Sequence, residues 1–142
     1  MPPDPFELEY AQIQWLFNSN ILVDAGLTDM NGRQYLAKFF MIIKFDDTIM
    51  DFIKKSGHPI NERRPLYIIG KLFDFDAFKD RVTKQHIADF LFERNLFKSI
   101  KKSRSIQNCL SLSLNDSLSD TFTKKILSIL KNHWKNAKTP GF

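Results

Sequence analysis

The sequence has one cysteine, Cys109, and three histidines, at positions 58, 86 and 133. A single cysteine forms no disulfide within the chain, and it also excludes a cysteine-rich zinc site. The histidines lack the short, regular spacing of metal ligands. We therefore expect no metal and no cofactor, and we interpret Cys109 as a buried thiol without a chemical role.

Glycine and proline are scarce as well, since the 142 residues include five Gly and six Pro. That is too few for a barrel or sandwich with many tight turns. The longest apolar run, residues 39–43, is far shorter than the roughly 20 residues that cross a bilayer. The sequence also has no glycine-rich phosphate loop and no nucleophile elbow. These absences predict a protein that is not an enzyme, takes no small-molecule substrate and binds no membrane.

Apolar side chains are abundant: 43% of the residues are hydrophobic, and 14 are Phe. A chain of this length can bury a substantial core as one domain. The apolar residues recur mostly at helical spacing. We predict about six helices, near residues 4–20, 32–45, 46–56, 74–81, 83–91 and 118–135.

Two segments depart from helical spacing. Residues 66–69 are predicted as a short strand. Residues 103–115 lack helical periodicity, and the alternation from Leu110 to Leu114 fits either a short strand or an ordered loop. The predicted fold is therefore all-α, with about six helices and one short β element.

Two predicted helices suggest a function. Residues 83–91 have the pattern of the first helix of a helix-turn-helix, with Ile87, Ala88 and Leu91 facing inward. The last helix is the most clearly amphipathic. Its apolar face contains Leu118, Phe122, Ile126, Ile129, Leu130 and Trp134. Its nearly opposite face contains Lys124, Ser128, Lys131 and Lys135.

Positive charge is concentrated towards the C-terminal end of the sequence. Residues 98–142 contain nine Lys or Arg and two Asp, whereas residues 1–97 contain 12 basic and 14 acidic side chains. Such a concentration favours a polyanionic partner, because bound cations release the counterions of the polyanion. A solvated surface that keeps the chain soluble is the alternative explanation.

Residues 36–140 resemble the AT-rich interaction domain (ARID), an all-helical DNA-binding fold of chromatin proteins. The family's Gly-x-Pro turn has a counterpart at residues 57–59, and its Leu-Asp-Leu helix opening has one at Phe73-Asp74-Phe75, followed by Phe78 and Val82. A Gly-Lys pair, Gly70-Lys71, precedes that opening. Phe97-Lys98-Ser99-Ile100 is similar to the family's Trp-Lys-x-Val step, and residues 130–134 are similar to its last helix. The family's usual Gly-Gly pair is missing, and His86-Ile87 lie near that place.

The resemblance implies an N-terminal helical extension, residues 1–35, and an ARID-like domain, residues 36–140. In the family, the last two core helices and the loop before them form a helix-turn-helix that enters the major groove. The implied backbone-contacting residues are Arg63, Arg64 and Lys71. The implied groove-facing residues are Arg94 and Asn95, with Thr123, Lys124, Lys125, Ser128 and Lys131 on the recognition helix, residues 121–135. A separate basic cluster that could follow phosphates contains Lys101, Lys102 and Arg104.

The resemblance further implies a nuclear subunit of a SWI/SNF-type chromatin remodelling complex. Such a subunit would bind double-stranded DNA with little sequence preference, would contact other subunits, and would leave ATP hydrolysis to a partner. The alternative function is a protein–protein interaction module that has lost DNA binding. In that module, Tyr10, Trp15 and Phe17 of the first helix would dock on other subunits.

Overall fold

This computed structural model describes residues 5–54, 64–97, 100–111 and 120–139. Within these ranges the chain forms eight α-helices and no strand, which confirms the all-α prediction. The helices are α1 (Pro5–Asn18), α2 (Ile21–Asp24), α3 (Met30–Lys44), α4 (Asp47–Lys54), α5 (Arg64–Asp74), α6 (Lys84–Glu93), α7 (Ser103–Leu110) and α8 (Asp120–Ala137).

Helices α1 and α3 form an antiparallel pair. The Tyr10 hydroxyl donates a hydrogen bond of 2.6 Å to the Phe40 carbonyl, and Arg33 Nη1 donates one of 3.2 Å to the Phe17 carbonyl. The expected boundary between residues 35 and 36 falls inside α3. The buried side chains of α1 belong to the same hydrophobic core as those of α3 to α8.

Aspartates start two of the predicted helices. The Asp29 carboxylate accepts a hydrogen bond of 2.6 Å from the Gly32 amide at the start of α3. Asp46 accepts one of 3.1 Å from the Ile49 amide at the start of α4. A side-chain oxygen at this position satisfies a backbone donor that the helix itself leaves unpaired. Asp46 therefore caps α4.

The strand predicted over residues 66–69 is wrong, because this segment lies in the middle of α5. All four of its side chains are at most 1% exposed. A short apolar run cannot distinguish a strand from a helix that is buried on most sides. Gly70 permits this burial: a Cβ atom there would overlap the Leu110 carbonyl of α7.

The helix predicted over residues 74–81 is also wrong. Helix α5 ends at Asp74, and residues 75–83 form turns in which Asp76 and Arg81 have φ angles of 57° and 74°. Left-handed residues interrupt a right-handed helix. The apolar residues of this segment pack on the core from the turns instead. The helix opening that the ARID resemblance places at Phe73-Asp74-Phe75 is therefore a helix end.

Residues 103–110 form helix α7, where the sequence predicted a strand or loop. Its buried face consists of Ile106, Cys109 and Leu110 alone. So few apolar positions give little periodic signal, which explains the error. The burial expected for the Cys109 thiol is confirmed. The rest of the alternation, residues 112–114, lies outside the described residues.

The eight helices pack in two connected groups. Helix α7 packs mainly against α5 and α6, whereas α8 packs mainly against α3 and α4. Trp134 of α8 contacts the Phe39 ring edge-on, with ring centroids 5.9 Å apart. These two arrangements position the basic side chains of α7 and α8 on the surface.

Candidate nucleic-acid interface

Helix α8 and the residue that follows it carry five exposed lysines, which we call the lysine surface: Lys124, Lys125, Lys131, Lys135 and Lys138. Ile126 and Leu130 on the other side of the helix are fully buried, and Trp134 is 6% exposed. The amphipathic orientation predicted for this helix is therefore confirmed. Ser128 is exposed beside the lysines, and the Thr123 side chain lies outside the described part of the structure.

Two polar contacts hold α8 in place. Trp134 Nε1 donates a hydrogen bond of 2.9 Å to the Phe75 carbonyl in the turns after α5. His133 Nε2 lies 2.7 Å from Asp46 Oδ2, next to α4. Burial alone would raise the pKa of the Asp46 carboxyl, but hydrogen bonds from His133 and Ile49 and the charge of His133 hold it below its usual value. These contacts of two adjacent residues fix the C-terminal part of α8 to the body of the protein.

A groove of about 600 Å³ lies beside the C-terminal half of α8. Lys131, Lys135 and Lys138 line one side, and Asp74 and Asp76 line the other. Asp74 also pairs with Lys71, with Lys71 Nζ 3.3 Å from Asp74 Oδ2. The two carboxylates offset part of the positive charge at this end of the lysine surface, so its centre lies nearer Lys124.

Of the three residues expected to contact the DNA backbone, Lys71 is the one whose side chain the structure describes. The Lys71 side chain is only 24% exposed, is paired with Asp74, and lies 5.2 Å from the centroid of the Tyr67 ring. Arg64 is the first residue of α5, but its side chain lies outside the described residues, as does the whole of Arg63. No backbone-contacting loop can therefore be assigned.

The remaining predicted residues lie after the end of α6 and at the start of α7. Arg94 and Asn95 follow α6 and are exposed, with the Arg94 guanidinium 5.0 Å from the centroid of the Phe90 ring. Lys101 and Lys102 precede α7, and Arg104 lies in its first turn; all three are exposed. The structure thus divides the candidate residues between an α8 group and an α6–α7 group.

The two helices predicted to form the helix-turn-helix correspond to α6 and α8, and these two do not pack mainly against each other. Helix α6, which the sequence predicted as the first helix of such a motif, packs closely against α7 instead. Residues 94–102 separate α6 from α7. This connection is longer than the three or four residues of a standard helix-turn-helix.

A polar pocket between α6 and α7 was not predicted. It has a volume of about 390 Å³ and is lined by Gln85, Ser103, Arg104, Gln107, Asn108 and Ser111. Sequence reasoning missed it because residues 103–115 were not recognised as helical. The available signal was the spacing of the polar residues at 104, 107, 108 and 111, which places them on one helical face.

Two of the three aromatic side chains expected to dock on other subunits are buried. Tyr10 is 2% exposed and Phe17 is 1% exposed, because both pack in the core beneath α3. Trp15 is 55% exposed. Leu8, about two turns earlier on α1, is 51% exposed. Only one of the three predicted aromatic side chains is therefore accessible.

Among residues 5–54, 64–97, 100–111 and 120–139, no group of three His, Cys, Asp or Glu side chains is arranged to hold a metal ion. None of the helices in the same ranges combines the length and hydropathy required to span a bilayer. No protein-family model, curated protein or solved structure matches this chain.

Proposed function

We propose that this chain binds double-stranded DNA through the lysine surface of α8, with weak sequence preference. The observation that carries the proposal is the position of four exposed lysines on α8, and a fifth directly after it, while Ile126 and Leu130 of the same helix are buried. A basic row on a rigid element neutralises phosphates and releases their counterions.

The dimensions of the lysine surface suit a DNA backbone. Lys124 and Lys138 are separated by about 21 Å along the helix axis, which corresponds to roughly six phosphates of one strand. Lysine presents a point charge on a flexible stem, which suits phosphate contacts, and phosphate contacts carry no sequence information. Weak sequence preference follows from this composition.

The chromatin context is part of the proposal, and it rests on the ARID resemblance. On that basis the chain is a nuclear subunit of a SWI/SNF-type remodelling complex, and other subunits are its protein partners. The turns at residues 75–83 depart from the family's helix. The DNA-binding proposal therefore depends on the lysine surface and not on the resemblance.

A second candidate function is a protein-interaction module, and the exposed pair Leu8 and Trp15 favours it. In this case the partner would cover α1, while the lysine surface stayed solvated. Replacing both residues by Ser would then abolish subunit binding and leave DNA affinity unchanged.

The test is a fluorescence anisotropy titration of the full chain with a labelled duplex at several salt concentrations. Contact of the lysine surface with three to five phosphates predicts a plot of log K against log salt with a slope of about −3 to −5. Lys124→Glu combined with Lys131→Glu should abolish binding, while the circular dichroism spectrum stays that of the wild type.

The matched control is Lys38→Glu combined with Lys44→Glu on α3, which changes the net charge by the same amount. This control should retain most of the affinity if the position of the lysines matters and not only their number. Wild-type binding by the α8 variant, or an affinity independent of salt, would refute the proposal.

A further inference from the structure

The pocket between α6 and α7 differs in chemistry from the lysine surface. Three of its six side chains are amides, two are hydroxyls and one is a guanidinium. No carboxylate is among the described residues that line it. Asn and Gln pair with adenine through two hydrogen bonds, and Arg pairs with guanine in the same way. The pocket therefore contains the side-chain types that read bases.

These side chains have no competing hydrogen-bond partner among the residues that the structure describes. None of the six makes a hydrogen bond through its side chain to another residue in the described part of the chain. Arg104 and Asn108 are exposed, while Gln107 is half-buried. Their donors and acceptors are thus satisfied by water in the unbound protein and are available to a ligand.

The backbone that carries these side chains is firmly held. Ile106, Cys109 and Leu110 bury the opposite face of α7, and the Leu110 carbonyl lies directly against Gly70 of α5. A helix of eight residues is about 12 Å long and 10–12 Å wide, which suits a major groove about 12 Å wide. Exposed Lys101 and Lys102 stand at its N-terminal end, where they can contact the flanking phosphates.

We infer that the exposed face of α7, with Gln85 of α6, contacts base edges in the major groove of duplex DNA. This inference rests on the proposed DNA binding and changes one part of it. Helix α8 supplies affinity without sequence information, and α7 supplies a sequence preference for a short site.

The experiment is selection of binding sites from a pool of duplexes with a randomised centre, using the full chain. The wild type should enrich a short consensus. Gln107→Ala combined with Asn108→Ala should enrich none, and its preference for the consensus over unselected duplex should fall at least about tenfold. Its affinity for unselected duplex should stay within about twofold of the wild type, because no charge is removed.

Two controls separate base reading from loss of structure. Gln14→Ala combined with Gln34→Ala removes two amides from other helices and should enrich the wild-type consensus. Gln85→Ala tests the pocket from α6 without altering α7. Circular dichroism verifies that each variant keeps its helices.

The outcomes distinguish this inference from the proposed function. If the wild type binds duplex with the expected salt dependence but enriches no consensus, α7 does not read bases and the proposed function stands. The same holds if the α7 variant enriches the wild-type consensus. If the wild type fails to bind duplex at all, both proposals are overturned.

Discussion

His133 Nε2 lies 2.7 Å from Asp46 Oδ2, so that a residue of the last helix is joined to the residue that caps α4. The two side chains are 19% and 20% exposed, which limits screening of their interaction by solvent. One carboxylate therefore stabilises the start of one helix and the position of another. This double role leads to the first prediction.

Asp46→Ala should lower the free energy of unfolding by about 1–3 kcal/mol, because it removes both an N-cap and a hydrogen bond between polar side chains. Asp46→Asn should cost less, since Asn also caps helices well. Urea denaturation followed by circular dichroism measures both. Asp47→Ala is the matched control, because Asp47 is exposed next to Asp46 and should change stability by no more than about 0.5 kcal/mol. Equal losses at the two positions would contradict the assigned role of Asp46.

The contact between Asp46 and His133 also predicts that the free energy of unfolding depends on pH in the acid range. The pKa of Asp46 is lowered in the folded protein from its ordinary value of 3.8. The contribution of the Asp46 carboxylate to stability is therefore fully present above pH 3.8. It is lost as the pH falls through the lower pKa of the folded state. The stability difference between wild type and Asp46→Asn should shrink as the pH is lowered below 3.8, where the ordinary carboxyl is protonated. Urea titrations at neutral pH and near pH 3 would show this, and a constant difference would contradict it.

Gly70→Ala should destabilise the protein strongly, although alanine favours helices more than glycine does. The added Cβ would overlap the Leu110 carbonyl, which belongs to the backbone and cannot rotate away. We expect a loss of about 3 kcal/mol or more, at the upper end of overpacking effects. Gly32→Ala is the control, because its nearest neighbour is a side-chain oxygen of Asp29 at 3.2 Å, and it should change stability by less than about 1 kcal/mol. Thermal unfolding of both variants makes the comparison.

Thr83 and His86 form a reciprocal cap at the start of α6. The Thr83 hydroxyl accepts a hydrogen bond of 3.2 Å from the His86 amide, and His86 Nδ1 accepts one of 3.1 Å from the Thr83 amide. Thr83→Ala should reduce stability by about 1 kcal/mol, whereas Thr83→Ser should be nearly neutral. Faster hydrogen exchange of the first amides of α6 in the Ala variant would locate the loss, and unchanged exchange would exclude the cap as its cause.

Alkaline conditions should destabilise the protein through Tyr67. Burial, with a further contribution from the charge of Asp74, raises the pKa of Tyr67 to about 12 from an ordinary value of 10.0. The contribution of the neutral phenol is therefore complete below pH 10 and is lost as the pH rises through 12. Absorbance of tyrosinate and circular dichroism, recorded together against pH, should show a smaller stability loss in Tyr67→Phe than in the wild type. Tyr35→Phe is the control, and it should behave like the wild type.

The sequence predicted helices in which polar and apolar faces alternate, and it missed α5, which is buried on most sides, and α7, which has few apolar positions. In α8, charged residues alternate regularly with Ile126, Leu130 and Trp134, so the period is visible. In α5, the run from Leu66 to Ile69 is buried throughout, and burial on all sides removes the polar positions that reveal a period. Helix α5 ends at Asp74, two residues before Asp76, whose φ of 57° is a left-handed conformation that no apolar pattern indicates.

One part of the candidate site could be predicted from the sequence and another part could not. The exposed lysines of α8 could be predicted, because the amphipathic pattern of one helix is a local property of the sequence. The pocket between α6 and α7 could not, since it requires Gln85 and Asn108, from different helices, to line one cavity. Proximity of that kind depends on tertiary packing, here of α6 against α7.

The alkylation rate of the Cys109 thiol reports local opening of α7. Its thiol is completely buried on α7, and no other cysteine is present in the sequence to react in its place. An alkylating reagent can reach it only when α7 detaches from its neighbours, so the modification rate measures how often that opening occurs. A ligand bound to the outer face of α7 would stabilise the packed position of the helix and slow the alkylation of Cys109.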